Sequence, residues 1–157
     1  MKPYFIKQQT PRKKIHIFTM IIGILLLTTK SSWASCTISN TGVIFGKYDI
    51  FSVHDLDTTG TINVNCSSGT PYSITMSAGF GNYETRQMKS GINILNYNLY
   101  TNATYITLWG DGTNGSATVN GEGTGTSVSH TVYGRIAHSQ NPPVGSYSDN
   151  IVVTVIF

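Results

Sequence analysis

No part of this chain carries a helical stripe of useful length, with apolar residues recurring at three- and four-residue spacing. That absence argues against helix bundles and doubly wound α/β folds. Charge is scarce as well: 10 Lys and Arg and 7 Asp and Glu in 157 residues. There is no G-x-S-x-G elbow and no H-E-x-x-H pair, so neither a nucleophile-elbow hydrolase nor a zincin is indicated. Glycosidase chemistry could draw on Asp55, Asp57, Glu84, Asp111, Glu122 and Asp149, but nothing selects two of them. His54, Asp55 and Asp57 lie close together in "HDLD" without the second cluster that a metal site needs, and read as a solvated turn. "DGTNG" (111–115) likewise reads as turn chemistry. The sequence points to no enzyme, cofactor or metal.

The basic residues are concentrated at one end. Lys2, Lys7, Arg12, Lys13 and Lys14 precede the apolar run "IHIFTMIIGILLL" (15–27), which gives way to the polar "TTKSSWAS". Ser32 and Ala34 place small residues at −3 and −1 of a cut after Ala34, the layout of a secretory signal peptide. The run is shorter than the about 20 residues that cross a bilayer. The expected division is a signal over 1–34 and one domain over 35–157, exported through the periplasm with no membrane span after cleavage. The full chain has a formal charge of +3, but six of its ten basic residues lie in the first 34, leaving 4 basic and 7 acidic and a net charge of −3. No basic patch survives to bind nucleic acid.

Cysteine is limited to Cys36 and Cys66. An even count in an exported chain reads as one disulfide. The loop closed is about 30 residues, for which the chain-entropy model gives roughly 3.6 kcal/mol.

What is abundant is period-two alternation between Gly- and Asn-rich turns. In 59–66, Ile62, Val64 and Cys66 share a face; in 72–79, Tyr72, Ile74, Met76 and Ala78 do. The two segments, joined by "SSGTP", read as a hairpin. "CTI" and "VIF" (36–38 and 43–45) read as a first strand interrupted near Thr41-Gly42. Leu95, Tyr97 and Leu99 fall on one face of their segment. "YITLW" (105–109) then sets Ile106 and Leu108 against Tyr105, Thr107 and Trp109. Val128, His130, Val132, Gly134 and Ile136 share another face. Seven or eight strands so spaced suggest an all-β, immunoglobulin-like sandwich.

The last segment, "NIVVTVIF", is apolar on both faces: Ile151, Val153, Val155 and Phe157 on one, Val152 and Ile156 on the other. Such a strand should be central and covered. Yet it ends the chain without the Lys residues that guard natural edges. Either an earlier strand neighbours it, or it receives a strand from another chain.

Together "FGKYD" (45–49), "TGTINVNC" (59–66), "GTPYSITMSAG" (69–79), "RQM" (86–88), "LNYNLYTN" (95–102), "WGDGT" (109–113), "VYGRI" (132–136) and "PVGSYSDNIVVTV" (143–155) resemble the spore coat protein U domain family, which includes subunits of archaic chaperone–usher pili. The ordered set covers nearly all of the mature chain. The resemblance implies a pilin-type sandwich lacking its final strand, with Ile151, Val153, Val155 and Phe157 as the strand-acceptor edge. It also implies partners: a periplasmic chaperone, an outer-membrane usher and other pilus subunits, in a cell-surface or extracellular pilus supporting adhesion and biofilm formation. The predicted cut leaves only Ser35 ahead of Cys36, so no alternating apolar extension remains to donate, and the expected place is a tip or a fibre end. The alternative is a non-polymerising secreted coat or sugar-binding surface module, with Tyr100, Tyr105 and Trp109 as its surface.

Overall fold

The computed structural model describes residues 33–157, so the signal-peptide segment lies almost entirely outside the described residues. Among the described residues every regular element is a strand, in agreement with the all-β expectation. The strands are β1 (Cys36–Asn40), β2 (Leu56–Cys66), β3 (Pro71–Met76), β4 (Arg86–Ser90), β5 (Asn93–Tyr100), β6 (Val119–Glu122), β7 (Ser127–Ile136) and β8 (Val153–Ile156). They form a five-stranded sheet in the order β1-β2-β7-β5-β4 and a three-stranded sheet in the order β6-β3-β8. All strand pairs are antiparallel.

Alternation determines which side chains enter the core. Ile62, Val64 and Cys66 of β2 are buried, as are Tyr72, Ile74 and Met76 of β3 and Leu95, Tyr97 and Leu99 of β5. Val132 and Ile136 complete the inner face of β7. The covalent tie is in place: Cys36 and Cys66 are cross-strand partners of β1 and β2, and they form a disulfide.

Two sequence expectations need correction. The segments now called β2 and β3 do not form a hairpin, because β2 belongs to the five-stranded sheet and β3 to the three-stranded one. The link at Ser67–Thr70 arches between sheets and is held by Gly123, whose N–H bonds Thr70 O and whose carbonyl accepts from Gly69 N. Alternation marks which face is apolar, but it does not say whether the next strand pairs beside the first or packs across from it.

The second correction concerns residues 105–109. They form no regular strand; isolated bridges join Leu108 to Tyr100 and Trp109 to Ala117. The inward and outward sets are exchanged: Ile106 is 79% exposed, while Trp109 is buried at 1%. Tyr105 has φ 54°, a left-handed conformation rare for a bulky residue, which breaks the period-two phase. Trp109 then turns inward and donates its indole N–H to Ile74 O at 3.1 Å.

Candidate functional site

The two sheets do not close over one side of the core. A groove of about 1100 Å³ opens there, with Ile62, Val132 and Ile136 on its five-stranded side and Met76 and Val153 on the other. One wall is β8 with the segment leading into it, 142–151. The other wall is the irregular segment 41–51. The rims leave Ile44, Phe51 and Val144 exposed, which is uncommon for apolar residues grouped along one opening.

The strand β8 is an edge strand, and the expectation of a central, covered position does not hold. It pairs with β3 through Ser73↔Ile156, Ile74↔Val155, Thr75↔Thr154 and Met76↔Val153, and among the described residues no strand lies on its other side. The phase of the ladder is set by one bond, Ser77 N donating to Val152 O at 2.9 Å. In an antiparallel pair, alternate residues turn their peptide groups to the same side. Thr154 and Ile156 therefore bond β3, while Ile151, Val153 and Val155 direct their N–H and C=O groups to the open edge. Their side chains pack against the core. Phe157, the fourth residue assigned to this edge, is 58% exposed. Val152 and Ile156, on the outer face, are also more than half exposed.

The opposite wall was less evident in the sequence. Its first residue, Thr41, donates its N–H to Thr61 O, and Thr58 Oγ1 donates to Ile44 O. Val43 and Phe45 then lie in a hollow made by two glycines on inward-facing strand positions. A Cβ on Gly60 would meet Val43 Cγ2 at 2.8 Å, and one on Gly134 would meet Val43 Cγ1 at 2.6 Å and Phe45 Cζ at 2.9 Å. Phe45 also packs edge-to-face on Tyr97, with ring centroids 5.8 Å apart. The available signal was a glycine in phase with an apolar face, as in Val132, Gly134 and Ile136, which marks close approach by another chain segment. Gly134→Ala is expected to push this segment away from the sheet and lose about 1–3 kcal/mol, the usual effect of overpacking, in urea unfolding.

At the groove's polar end, Tyr97 donates its hydroxyl hydrogen to Asp149 Oδ2 at 2.7 Å, and burial holds its ionisation well above the usual tyrosine range. Asp149 also accepts from Phe80 N and Asn150 N. Asp149 is therefore committed to the wall of the groove.

Asp55 and Asp57 of "HDLD" take part in a charge network on the outer sheet face, whereas His54 bonds Ser52 through its backbone. Arg135 forks onto Asp57 at 2.7 and 2.8 Å and reaches Asp55 at 3.3 Å. Asp55 Oδ1 lies 2.7 Å from His138 Nδ1. Hydrogen bonds from His138 hold the Asp55 carboxyl below its usual value. A depressed carboxylate stabilises the fold above its unfolded pKa, and that contribution is lost as pH falls through the folded value. Asp55→Asn should therefore flatten the decline in Tm below about pH 4.

Of the surface aromatics expected from the sequence, the structure brings Tyr100 and Tyr105 together and removes Trp109. The rings of Tyr100 and Tyr105 meet edge-to-face at 5.4 Å, and Tyr133 joins them at 6.3 Å from Tyr105. Trp109 belongs to the core.

The incompletely covered sandwich with a bare terminal edge is a pilin-type fold. A structure of the CsuC–CsuE chaperone–tip adhesion subunit pre-assembly complex, from the archaic chaperone–usher Csu pili of Acinetobacter baumannii, superposes with a TM-score of 0.60 at 23% identity. The match covers 80% of this chain and 40% of that one. The Spore Coat Protein U domain model matches residues 23–154. Protein U of Myxococcus xanthus is 32% identical over 127 residues, covering 72% of this chain and 70% of its own. The chain belongs to the spore coat protein U domain family, whose pilin-type subunits are structural and not enzymatic.

Proposed function

We propose that this protein is an exported structural subunit of an archaic chaperone–usher pilus, and that it accepts a strand from a partner chain along β8. The observation that carries the reading is the coincidence of three features at one place. The N–H and C=O groups of Ile151, Val153 and Val155 face an open edge, an apolar groove lies beside that edge, and the far wall of the groove is an irregular segment. An added strand would gain main-chain hydrogen bonds from β8 and would seat alternate side chains over the core. A periplasmic chaperone would lend such a strand first and a neighbouring subunit would supply it later, with an outer-membrane usher between the two steps. Adhesion and biofilm support follow from the assembled fibre. A tip or terminal position rests on cleavage after Ala34, and N-terminal sequencing of the exported chain tests it.

The direct test is complementation. The exported chain alone is expected to form multimers. A synthetic peptide alternating Val or Ile with Thr or Ser should convert it to a one-to-one complex seen by native mass spectrometry, with a higher Tm. A stable monomer whose melting is unchanged by the peptide would contradict the reading.

A further inference from the structure

A second opening lies away from the groove and shares none of its residues. β5 pairs with β7 only through Asn98↔Arg135, Leu99↔Gly134 and Tyr100↔Tyr133. It then turns off, with Thr101 N donating to Thr107 O and Trp109 N donating to Leu99 O. Those two bonds place Leu99 and Thr101 toward 107–109, so Asn98 and Tyr100 bond β7. By the same alternation, Ser129 and Thr131 of β7 turn their peptide groups to the side that β5 has vacated. Among the described residues no strand pairs with them there.

The gap is a notch of about 230 Å³, bounded by Thr101, Ser129, Thr131 and Tyr133, with Trp109, Val119 and His130 completing it. Three hydroxyl side chains, a phenol, the His130 imidazole and the peptide groups of two strand residues make its polar lining, Trp109 and Val119 its apolar one, and no carboxylate, lysine or arginine is among them. Ser129 Oγ donates to Asn63 Oδ1 at 2.6 Å, which leaves its lone pairs free to accept. Beside the notch, Tyr133, Tyr105 and Tyr100 form an edge-to-face ladder. The ladder is held in place. Tyr105 adopts φ 54°, and the Arg135 guanidinium lies 3.7 Å from its ring centroid while bonded to Asp57. Strain of this kind in a bulky residue persists only where its surroundings fix it.

We propose that this notch and its tyrosine ladder bind a neutral hexopyranose ring, as a free sugar or the end of a glycan. The volume is below the roughly 300 Å³ at which drug-sized sites begin, and so suits one ring. Mixed donors and acceptors without charge match sugar hydroxyls, and aromatic faces suit the apolar C–H face of a pyranose. A peptide strand fits poorly. The vacated stretch is closed at one end, where β5 pairs with β7 at Tyr100↔Tyr133.

Saturation-transfer NMR on the full exported chain tests this, since the method tolerates multimers. The probes are methyl α-D-glucopyranoside, methyl α-D-galactopyranoside and methyl α-D-mannopyranoside at millimolar concentration, with acyclic sorbitol as the control. Transfer to at least one pyranoside, and not to sorbitol, is expected. The double variant Ser129→Ala/Thr131→Val should weaken binding about tenfold, the effect of losing a good hydrogen bond. Tyr133→Phe, which keeps the ring, should weaken it less. No transfer to any pyranoside, equal transfer to sorbitol, or undiminished transfer in the double variant would overturn the proposal. Strand acceptance along β8 stands or falls separately, because the variants leave the groove intact.

Discussion

Val155→Pro should abolish peptide complementation while leaving a folded chain, and Thr154→Pro should do the reverse damage. The two residues are adjacent, with Thr154 exposed on the outer face and Val155 half-buried against the core. They differ in which way their N–H groups turn. The bond from Ser77 N to Val152 O puts Thr154 in the β3 ladder and Val155 on the free edge. Proline removes the N–H and fixes φ near −65°, so it is tolerated where the lost donor faced solvent and is disruptive inside a ladder. Val155→Pro keeps most of its apolar volume against the core and should lose no more than about 1–2 kcal/mol of intrinsic stability. Its affinity for a complementing peptide should fall at least about a hundredfold, from a missing main-chain bond, an altered strand path and a ring that obstructs the incoming backbone. Thr154→Pro should release β8 from β3 and lose about 3 kcal/mol or more of stability before any peptide is added. Circular dichroism melts with and without peptide, together with calorimetric titration, read both effects. Equal loss of peptide binding in both variants, at equal stability, would show that the edge assigned here is not the one used.

The parity of β8 also separates what residue pattern determines from what it leaves open. The apolar face of β8, Ile151, Val153 and Val155, is legible from alternation alone, because side chains on a strand repeat every two residues. Whether that strand is central or at an edge is not legible, since both environments accept the same residues and the answer depends on which other strand lies beside it. The pairing of Cys36 with Cys66 is legible because an exported chain with two cysteines leaves one choice. The segment Thr41–Gly46 is only partly so. The break near Thr41-Gly42 shows in the sequence, but its role as a wall depends on the hollow formed by Gly60 and Gly134, which lie far from it in the chain. Trp109 was misassigned for a local reason. A single left-handed residue, Tyr105, shifts the phase of everything after it, and nothing about a tyrosine announces that conformation. The notch at Ser129 and Thr131 was not visible at all, because it is made by the place where β5 stops pairing.

Arg86 provides the second large effect. A sandwich with an open groove needs firm ties between its sheets, and Arg86 supplies one. Its position in "RQM" puts it in phase with Met88, a cation where the pattern asks for an apolar residue, and it is fully buried, at 0% exposure. Its guanidinium donates to Trp109 O at 2.6 Å, to Ser77 O at 3.0 and 3.4 Å and to Asn98 Oδ1 at 3.2 Å. Those acceptors come from the end of β3, from β5 and from the crossing segment, so one planar fork joins both sheets. Asn98 in turn donates to Glu84 O at 2.6 Å. The Tyr83 ring stacks near the charge at 5.4 Å. No carboxylate bonds it directly, and burial lowers its pKa from the usual arginine value, so backbone carbonyls carry its solvation. Arg86→Met fills similar volume but strands two carbonyls and one amide oxygen in the core, each a loss of about 1–3 kcal/mol. The expected destabilisation is roughly 3–5 kcal/mol, a large share of a small domain's stability. Arg86→Lys should recover little of it, because an ammonium group cannot reproduce the planar, multidentate fork. Urea unfolding of the peptide-complemented chain measures the loss, and the variant should fail even with the groove filled, because a strand added along β8 replaces none of the bonds that Arg86 makes. If a complementing peptide restored Arg86→Met to full stability, the guanidinium would be dispensable to sheet-to-sheet docking.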